Sequence, residues 1–190
     1  MELKTIAYLD KPGKRGSALC VQAAALRAAE LELGWAVAAS SSGKTALELA
    51  RALRKAGART RVVGVGYSAE YAAKWGGLRP KYVKEAERLG AVFITGTHAF
   101  GGVDGAVQKR FGGMPPAGVV AQTFYTLGQG FKVAVEVALM AADQGVLPLK
   151  KEALALGGTG EGADTALVLE PACSSKFFDL RIREIVCKPR

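Results

Sequence analysis

A run of hydroxyl, glycine and lysine residues, Ser40-Ser41-Ser42-Gly43-Lys44-Thr45, has the composition of an anion-binding loop. It follows an apolar stretch that predicts a strand over Trp35–Ala39, and it opens a helix predicted from Lys44 to Ala56. Unpaired backbone N–H groups at a helix N-terminus attract an anion, and the hydroxyls and the ammonium add further donors. We therefore interpret the run as a phosphate loop. The alternative is that Ser42 only caps the helix.

The triplet Gly43-Lys44-Thr45 also matches the end of the nucleotide-binding P-loop. That motif requires glycine at the position where this chain has Ala38, because the loop must wrap closely around the phosphates. A Walker-type ATPase is therefore not expected.

A second glycine-rich loop starts at Gly158-Thr159-Gly160 and ends at Asp164-Thr165. With Ala163 in the third place it fits the dinucleotide fingerprint formally, but it joins two predicted strands, Ala153–Gly157 and Thr165–Glu170, and lacks the helix that would hold a pyrophosphate. Two interpretations stay open: a tight loop that lets a ligand approach the backbone, or a plain connection between strands.

Three side chains are candidates for acid–base chemistry. His98 is the only histidine and lies with Thr97 in a loop after a predicted strand, where it could contact a ligand or brace the loop. Glu136 and Asp143 lie seven residues apart on an otherwise apolar helix, so they share one face. The alternative is that Glu136 pairs with Lys132 and that Asp143 binds backbone near Gly145. No metal site is expected, because His98 has no second ligand nearby in the sequence.

Three aromatic residues recur every four positions at Tyr67, Tyr71 and Trp75. This spacing places them on one face of a short helix. They could offer a stacking surface for a planar ring, or they could simply pack that helix.

Strands and helices alternate along the chain, and most predicted strands are fully apolar, which is typical of a parallel sheet covered on both faces. The first predicted strand, Leu3–Leu9, ends at the turn Asp10-Lys11-Pro12-Gly13, and Ser17 is predicted to cap a helix that runs to Leu33. The other predicted strands are Arg61–Gly66, Val92–Thr95 and Leu180–Cys187. The other predicted helices start at Pro80, Gly101, Val119 and Phe131.

The chain has 190 residues, with 49% hydrophobic and 23% charged residues, which predicts one globular domain. No apolar run approaches the roughly 20 residues that span a bilayer, and the first residues, with Glu2 and Lys4, lack the apolar core of a signal peptide. We therefore expect a cytoplasmic protein whose three cysteines are reduced. The net charge of +9 favours anionic ligands, but no nucleic-acid motif or basic stripe accompanies it. The absence of asparagine favours a thermophilic source.

Taken together, these stretches resemble the C-terminal domain of pyruvate kinase, in the stand-alone form that lacks the catalytic barrel. The pattern Ser40-x-Ser42-Gly43-x-Thr45 is similar to the loop that holds a sugar-phosphate group of the allosteric effector. Gly158-x-Gly160, followed by residues 164–168, is similar to the second effector loop. Asp10–Gly13 and residues 132–143 and 162–166 are most similar to the stand-alone proteins.

The resemblance implies a three-layer α/β/α sandwich whose mainly parallel sheet has five core strands in the order 3-2-1-4-5, the last antiparallel, with extra N- and C-terminal strands. It implies a flavin mononucleotide (FMN) binder whose phosphate lies at Ser40–Thr45 and whose ring lies near the aromatic positions, Thr97 and His98 or Lys11-Pro12-Gly13. Pyruvate kinase catalysis is not implied, because the groups that hold phosphoenolpyruvate, metal and ADP are missing. The alternative function is a sugar-phosphate-sensing module that forms homo-oligomers.

Overall fold

The structure is a computed structural model that describes residues 3–190, so the charge noted at Glu2 lies outside the described residues. Strands and helices alternate through most of the chain, as predicted. The strands are β1 (Ala7–Leu9), β2 (Trp35–Ala39), β3 (Arg61–Gly66), β4 (Val92–Thr95), β5 (Ala153–Gly157), β6 (Thr165–Glu170) and β7 (Arg181–Pro189). The α-helices are α1 (Ser17–Glu30), α2 (Lys44–Lys55), α3 (Ala69–Trp75), α4 (Pro80–Arg88), α5 (Gly102–Phe111), α6 (Pro116–Tyr125) and α7 (Gln129–Asp143).

The strands of residues 3–190 form one sheet in the order β1-β7-β6-β5-β2-β3-β4. Within it, β6 runs antiparallel to both of its neighbours, and every other pairing is parallel. Counted from β2, the core strands have the order 3-2-1-4-5 with the last antiparallel, and β7 and β1 extend the sheet beyond β6. The predicted fold class, a mainly parallel α/β/α sandwich with extra terminal strands, is therefore confirmed.

Successive side chains along the strands point to opposite faces of the sheet and belong to two separate hydrophobic cores. Ala36 and Ala38 of β2 face a core formed with α1, α2 and α4, whereas Val37 faces a core formed with α7. β5 alternates in the same way, since Leu154 and Leu156 join the first core and Ala155 the second. Helices thus cover both faces, as fully apolar strands require.

Helix α7 packs so closely on the sheet that its backbone contacts the backbone of strand β5. A Cβ atom added at Gly157 of β5 would lie 2.1 Å from the carbonyl oxygen of Gly130 and 2.5 Å from the nitrogen of Ala134. One added at Gly130 would lie 2.1 Å from a carboxylate oxygen of Asp164. Only glycine fits at these two positions, because a side chain would have to displace backbone or a buried carboxylate.

The parallel pairings place the carboxyl ends of β1 to β5 and of β7 at one edge of the sheet, which we call the carboxyl edge. Strands β3 and β4 lie on one side of β2, and β5 lies on the other side. β2 and β5 are therefore the topological switch point, where open α/β sheets form a ligand crevice at the carboxyl ends of the strands.

Several boundaries differ from the predictions. β1 covers only the end of the predicted strand Leu3–Leu9, because β7 offers it three partners, Cys187 to Pro189. A short 3₁₀-helix, Lys14–Gly16, precedes α1. Ser17 is therefore the first residue of α1 and not the N-cap of that helix. Ser17 Oγ instead accepts a hydrogen bond from Ala163 N, 3.0 Å away. The helix predicted from Val119 begins earlier, because Pro116 suits a first helical turn.

Among residues 3–190, we find no helix that combines the length and apolarity needed to cross a bilayer.

Candidate functional site

The predicted phosphate loop lies at the switch point, directly after β2. Ser40 N donates to the carbonyl oxygen of Val65 in β3 at 2.9 Å, which continues the sheet by one bond, and Gly43 N donates to Ser40 O at 3.1 Å. Gly43 has φ 89°, a left-handed conformation that glycine adopts without strain, and a Cβ there would press on Tyr82 and Val83 of α4. The glycine thus lets the chain turn sharply from strand to helix against α4.

Ser40, and not Ser42, satisfies an amide of the first turn of α2. Its Oγ accepts from Ala46 N at 3.0 Å, and its side chain is buried. Ser42 Oγ lies 3.4 Å from Lys44 N, a long and weak contact. The N-cap residue of α2 is Gly43 and not Ser42. The half-buried hydroxyl groups of Ser41 and Ser42 remain at the mouth of the loop.

The remaining predicted residues of this loop differ in accessibility. Lys44 is exposed, and its ammonium lies 3.5 Å from Glu48 one turn along α2. Thr45 is buried beneath the first turn. The accessible part of the loop therefore consists of Ser41, Ser42 and Lys44.

Arg79 joins this loop, although the sequence analysis did not single it out. Its backbone N–H donates to Ser42 O at 3.0 Å, and it precedes Pro80, the first residue of α4. The N-termini of α2 and α4 therefore meet at Ser42, and the residue at this junction, Arg79, is exposed. In the sequence, Arg79-Pro80 before a helical pattern indicates where α4 starts. It does not indicate that Arg79 contacts Ser42.

Asp164 organises the second glycine-rich loop. Its fully buried carboxylate accepts hydrogen bonds from Gly13 N at 2.7 Å and Thr159 N at 3.0 Å, and from the Thr165 hydroxyl at 2.9 Å. Both oxygens are thus used inside the protein. Asp164 and Thr165 thus shape the loop from inside, and its accessible part runs from Gly158 to Gly162.

The turn after β1 lies against this second loop. Besides the bond from Gly13 to Asp164, Gly13 approaches Thr159 so closely that a Cβ would lie 3.1 Å from its carbonyl oxygen. Lys14 also forms an exposed ion pair with Glu161 at 3.1 Å. The structure therefore brings the predicted Lys11-Pro12-Gly13 segment and the Gly158–Gly160 segment together at the carboxyl edge, with Lys11 and Pro12 exposed.

The three aromatic residues and His98 form one cluster beyond the ends of β3 and β4. The rings of Tyr71 and Trp75 are stacked with centroids 4.8 Å apart, and the His98 ring lies 5.0 Å from Tyr71 and 6.0 Å from Tyr67. No residue of α3 is buried, so this cluster stands at the surface. Burial of the imidazole lowers the pKa of His98 below its usual range, while Glu136 raises it and Lys132 lowers it.

Glu136 pairs with Lys132, as one of the two interpretations predicted. The Lys132 ammonium lies 2.6 Å from one carboxylate oxygen, and the other oxygen accepts from Phe100 N at 3.1 Å. Both side chains are buried. Glu136 therefore holds the loop that carries His98, and neither of its oxygens is free for a ligand.

Asp143 lies at the C-terminal end of α7, away from the carboxyl edge. Its carboxylate accepts from Ser174 N at 2.8 Å, so the predicted contact with backbone near Gly145 is wrong. Helix α7 runs from the carboxyl edge of the sheet towards the opposite edge. Glu136 and Asp143, seven residues apart on this helix, therefore lie at different distances from the carboxyl edge. Of the other predicted site residues, Glu136 lies in the middle of α7 and Thr165 begins β6, and the rest lie on loops at the carboxyl edge or in the first turn of α2.

A scan of the chain against protein-family models finds no match.

Proposed function

We propose that the protein binds a phosphorylated small molecule at the carboxyl edge, with FMN as the first choice of ligand. The carrying observation is that the Ser40–Thr45 loop and the Gly158–Thr159 loop follow β2 and β5, the adjacent parallel strands of the switch point. A phosphate group in that crevice would lie between the two loops. The resemblance to the stand-alone relatives of the pyruvate kinase C-terminal domain supports the same proposal from the sequence.

The phosphate group is assigned to the mouth of the Ser40–Thr45 loop. Ser41 and Ser42 supply hydroxyl groups at the start of the twelve-residue helix α2, whereas the backbone N–H groups of Gly43 and Ala46 already donate within the protein. The exposed side chains of Lys44 and Arg79 start from the same loop junction, in a protein of net charge +9. Hydroxyls and cations are common partners of a phosphate.

The ring of the ligand is assigned to the surface formed by Tyr71, Trp75 and His98. Trp75 is 57% exposed, with Tyr71 stacked on its ring and the Lys74 ammonium 5.1 Å from the ring centroid, so a planar molecule would displace Lys74 or extend the stack. Tyr67 follows β3, which neighbours β2, so the proposed ring and phosphate sites lie at adjacent strand ends. When bound, FMN would supply electron-transfer chemistry, and His98 is the one titratable candidate at this surface to hold or move a proton. Glu136 is fully engaged, and Asp143 is too distant.

The first test is an absorption spectrum of freshly purified protein, followed by heat release and mass identification of any small molecule. A flavin spectrum together with released FMN supports the proposal. A colourless protein that does not bind added FMN in calorimetry contradicts the choice of FMN.

The phosphate assignment is tested by calorimetric titration of FMN into three variants. Ser42→Ala and Lys44→Ala should each weaken binding by about 1–3 kcal/mol, because each removes a hydrogen bond to a charged group. The matched control is Ser175→Ala, an exposed hydroxyl in the 3₁₀-helix Ser174–Asp179 near the C-terminal end of α7. Unchanged affinity in both loop variants would exclude this loop as the phosphate site.

A second candidate function is a sugar-phosphate-sensing module without catalysis. It is favoured by helix α5, which has no buried residue and exposes Val103, Val107 and Phe111. Such a surface fits a module that assembles with itself. Light scattering with and without a hexose bisphosphate tests it: a ligand-dependent change in mass supports the sensing role, and a constant mass argues against it.

A further inference from the structure

Two cysteines that are far apart in sequence meet in the core. Cys20 of α1 and Cys187 of β7 are 167 positions apart, and their Sγ atoms lie 3.1 Å from each other. Both side chains are fully buried in the core between the sheet and α1. The third cysteine, Cys173, is half-buried elsewhere, with its sulfur 3.8 Å from the carbonyl oxygen of Ala142 at the end of α7.

We propose that Cys20 and Cys187 form a reversible redox site that closes to an intramolecular disulfide. The two sulfurs need to approach by about 1 Å to reach bonding distance. Each cysteine sits in regular structure, so the pair is held in place by the fold and does not depend on a mobile loop. No other pair among the described cysteines has this proximity.

The oxidant is a low-molecular-weight disulfide such as glutathione disulfide. One protein thiolate attacks a sulfur of that molecule, which forms a mixed disulfide and releases one glutathione thiolate. The second protein thiolate then attacks the protein sulfur of the mixed disulfide and releases the second glutathione. The protein loses two protons and two electrons, and one glutathione disulfide is reduced to two glutathione molecules.

The two thiols differ in reactivity. The hydrogen bond between the two sulfurs lowers the pKa of Cys187, and the same interaction together with burial raises the pKa of Cys20. Cys187 is therefore the thiol that forms the first thiolate. It also lies beside the three-residue strand β1, where it pairs with Ala7 at the edge of the sheet. Separation of this short edge strand would give an oxidant a route to Cys187.

The cross-link would lie beneath the second glycine-rich loop. Cys187 also pairs with Ala166 of β6, two residues after Asp164, and Cys20 lies three residues after Ser17, whose hydroxyl accepts from Ala163. A disulfide would therefore fasten α1 to β7 next to the residues that shape this loop. It would also enclose most of the chain, and long enclosed loops restrict the unfolded state most strongly.

The test compares native protein incubated with glutathione disulfide and with dithiothreitol. After acid quenching and alkylation in denaturant, the reduced protein should carry three alkyl groups and the oxidised protein one. Trypsin without reductant should then release residues 16–27 joined to residues 184–190, with Cys173 alkylated in residues 152–176. The melting temperature of the oxidised protein should exceed that of the reduced protein by about 10 °C.

Two variants complete the test. Cys173→Ser should keep the cross-link and the rise in melting temperature, and Cys187→Ala should lose both. The proposal is overturned if all three thiols remain alkylatable after oxidation of the native protein up to the onset of melting. It is equally overturned if the link involves Cys173, joins two chains, or forms only in urea.

Discussion

At the scale of single residues, Asp164 connects segments that are far apart in the chain. Its carboxylate accepts the backbone N–H groups of Gly13, 151 positions away, and of Thr159. Asp164 was a candidate ligand contact, as part of the second glycine-rich loop. An acidic residue at the end of such a loop gives no indication of which partner it will have. Its burial and its three hydrogen bonds give it a structural task instead.

Replacing Asp164 should therefore destabilise the fold. Asp164→Ala leaves two buried N–H groups without an acceptor and should lower the free energy of unfolding by about 3 kcal/mol. Asp164→Asn keeps one oxygen that can accept from both groups and should lower it by only about 1 kcal/mol. Urea unfolding monitored by circular dichroism measures both. Equal effects of the two variants would show that the hydrogen bonds are not the cause.

Ser40 and Ser42 should separate stability from binding. Ser40→Ala removes the acceptor of Ala46 N and should lower the free energy of unfolding by about 1 kcal/mol. Ser42→Ala removes only a long contact and should leave stability within about 0.5 kcal/mol of the wild type while it weakens ligand binding. Thermal unfolding of both variants checks the contrast. A larger loss in Ser42→Ala would reverse the assigned roles.

His98 should make stability depend on pH. Burial lowers its pKa in the folded protein, so the folded state binds the proton less tightly than the unfolded state, whose value is about 6.5. Its contribution is therefore present above that value and is lost as the pH falls from 7 towards 5. In His98→Gln, the free energy of unfolding should fall less over this interval, since the chain has no other histidine. Identical slopes in urea titrations of the two proteins would contradict this.

At the scale of elements, the contact between α7 and β5 decides how closely the layers approach. Twelve of the fifteen residues of α7 are buried, and its first turn rests on Gly157, Asp164 and Thr165. The apolar pattern of this helix predicts burial, but not that its backbone touches the backbone of a strand. Two glycines that lie 27 positions apart in the chain, Gly130 and Gly157, make that approach possible.

Gly157→Ala should therefore be strongly destabilising. The added methyl group would meet backbone atoms, which cannot rotate away, and we expect a loss of at least about 2 kcal/mol. The matched control is Gly105→Ala in α5, where a Cβ meets nothing within 4 Å and should add up to about 1 kcal/mol of stability. Urea unfolding measures both. A tolerated Gly157→Ala would disprove the close approach.

At the scale of the whole molecule, stability should be unevenly distributed. Helix α7 and strand β5 are enclosed, whereas α5 has no buried residue. Hydrogen exchange should therefore be slowest in α7 and β5 and fastest among the helices in α3 and α5, neither of which has a buried residue. Mass spectrometry of peptides after exchange in deuterated water measures this order. Strong protection of α5 would contradict it and would indicate that a second copy covers Val103, Val107 and Phe111.

The sequence by itself determined the order of strands and helices, the α/β class and the loops that carry the candidate site. These follow from local patterns, since apolar strands, helical periodicity and glycine-rich ends are all readable within about fifteen residues. The strand order of the sheet was implied only by the resemblance. The tertiary structure decided what each polar group does. Asp164 accepts from Gly13, Ser40 accepts from Ala46, Asp143 accepts from Ser174, and Cys20 contacts Cys187. Three of these four outcomes join residues separated by 31 to 167 positions, and partners at that distance leave no local pattern from which to predict them.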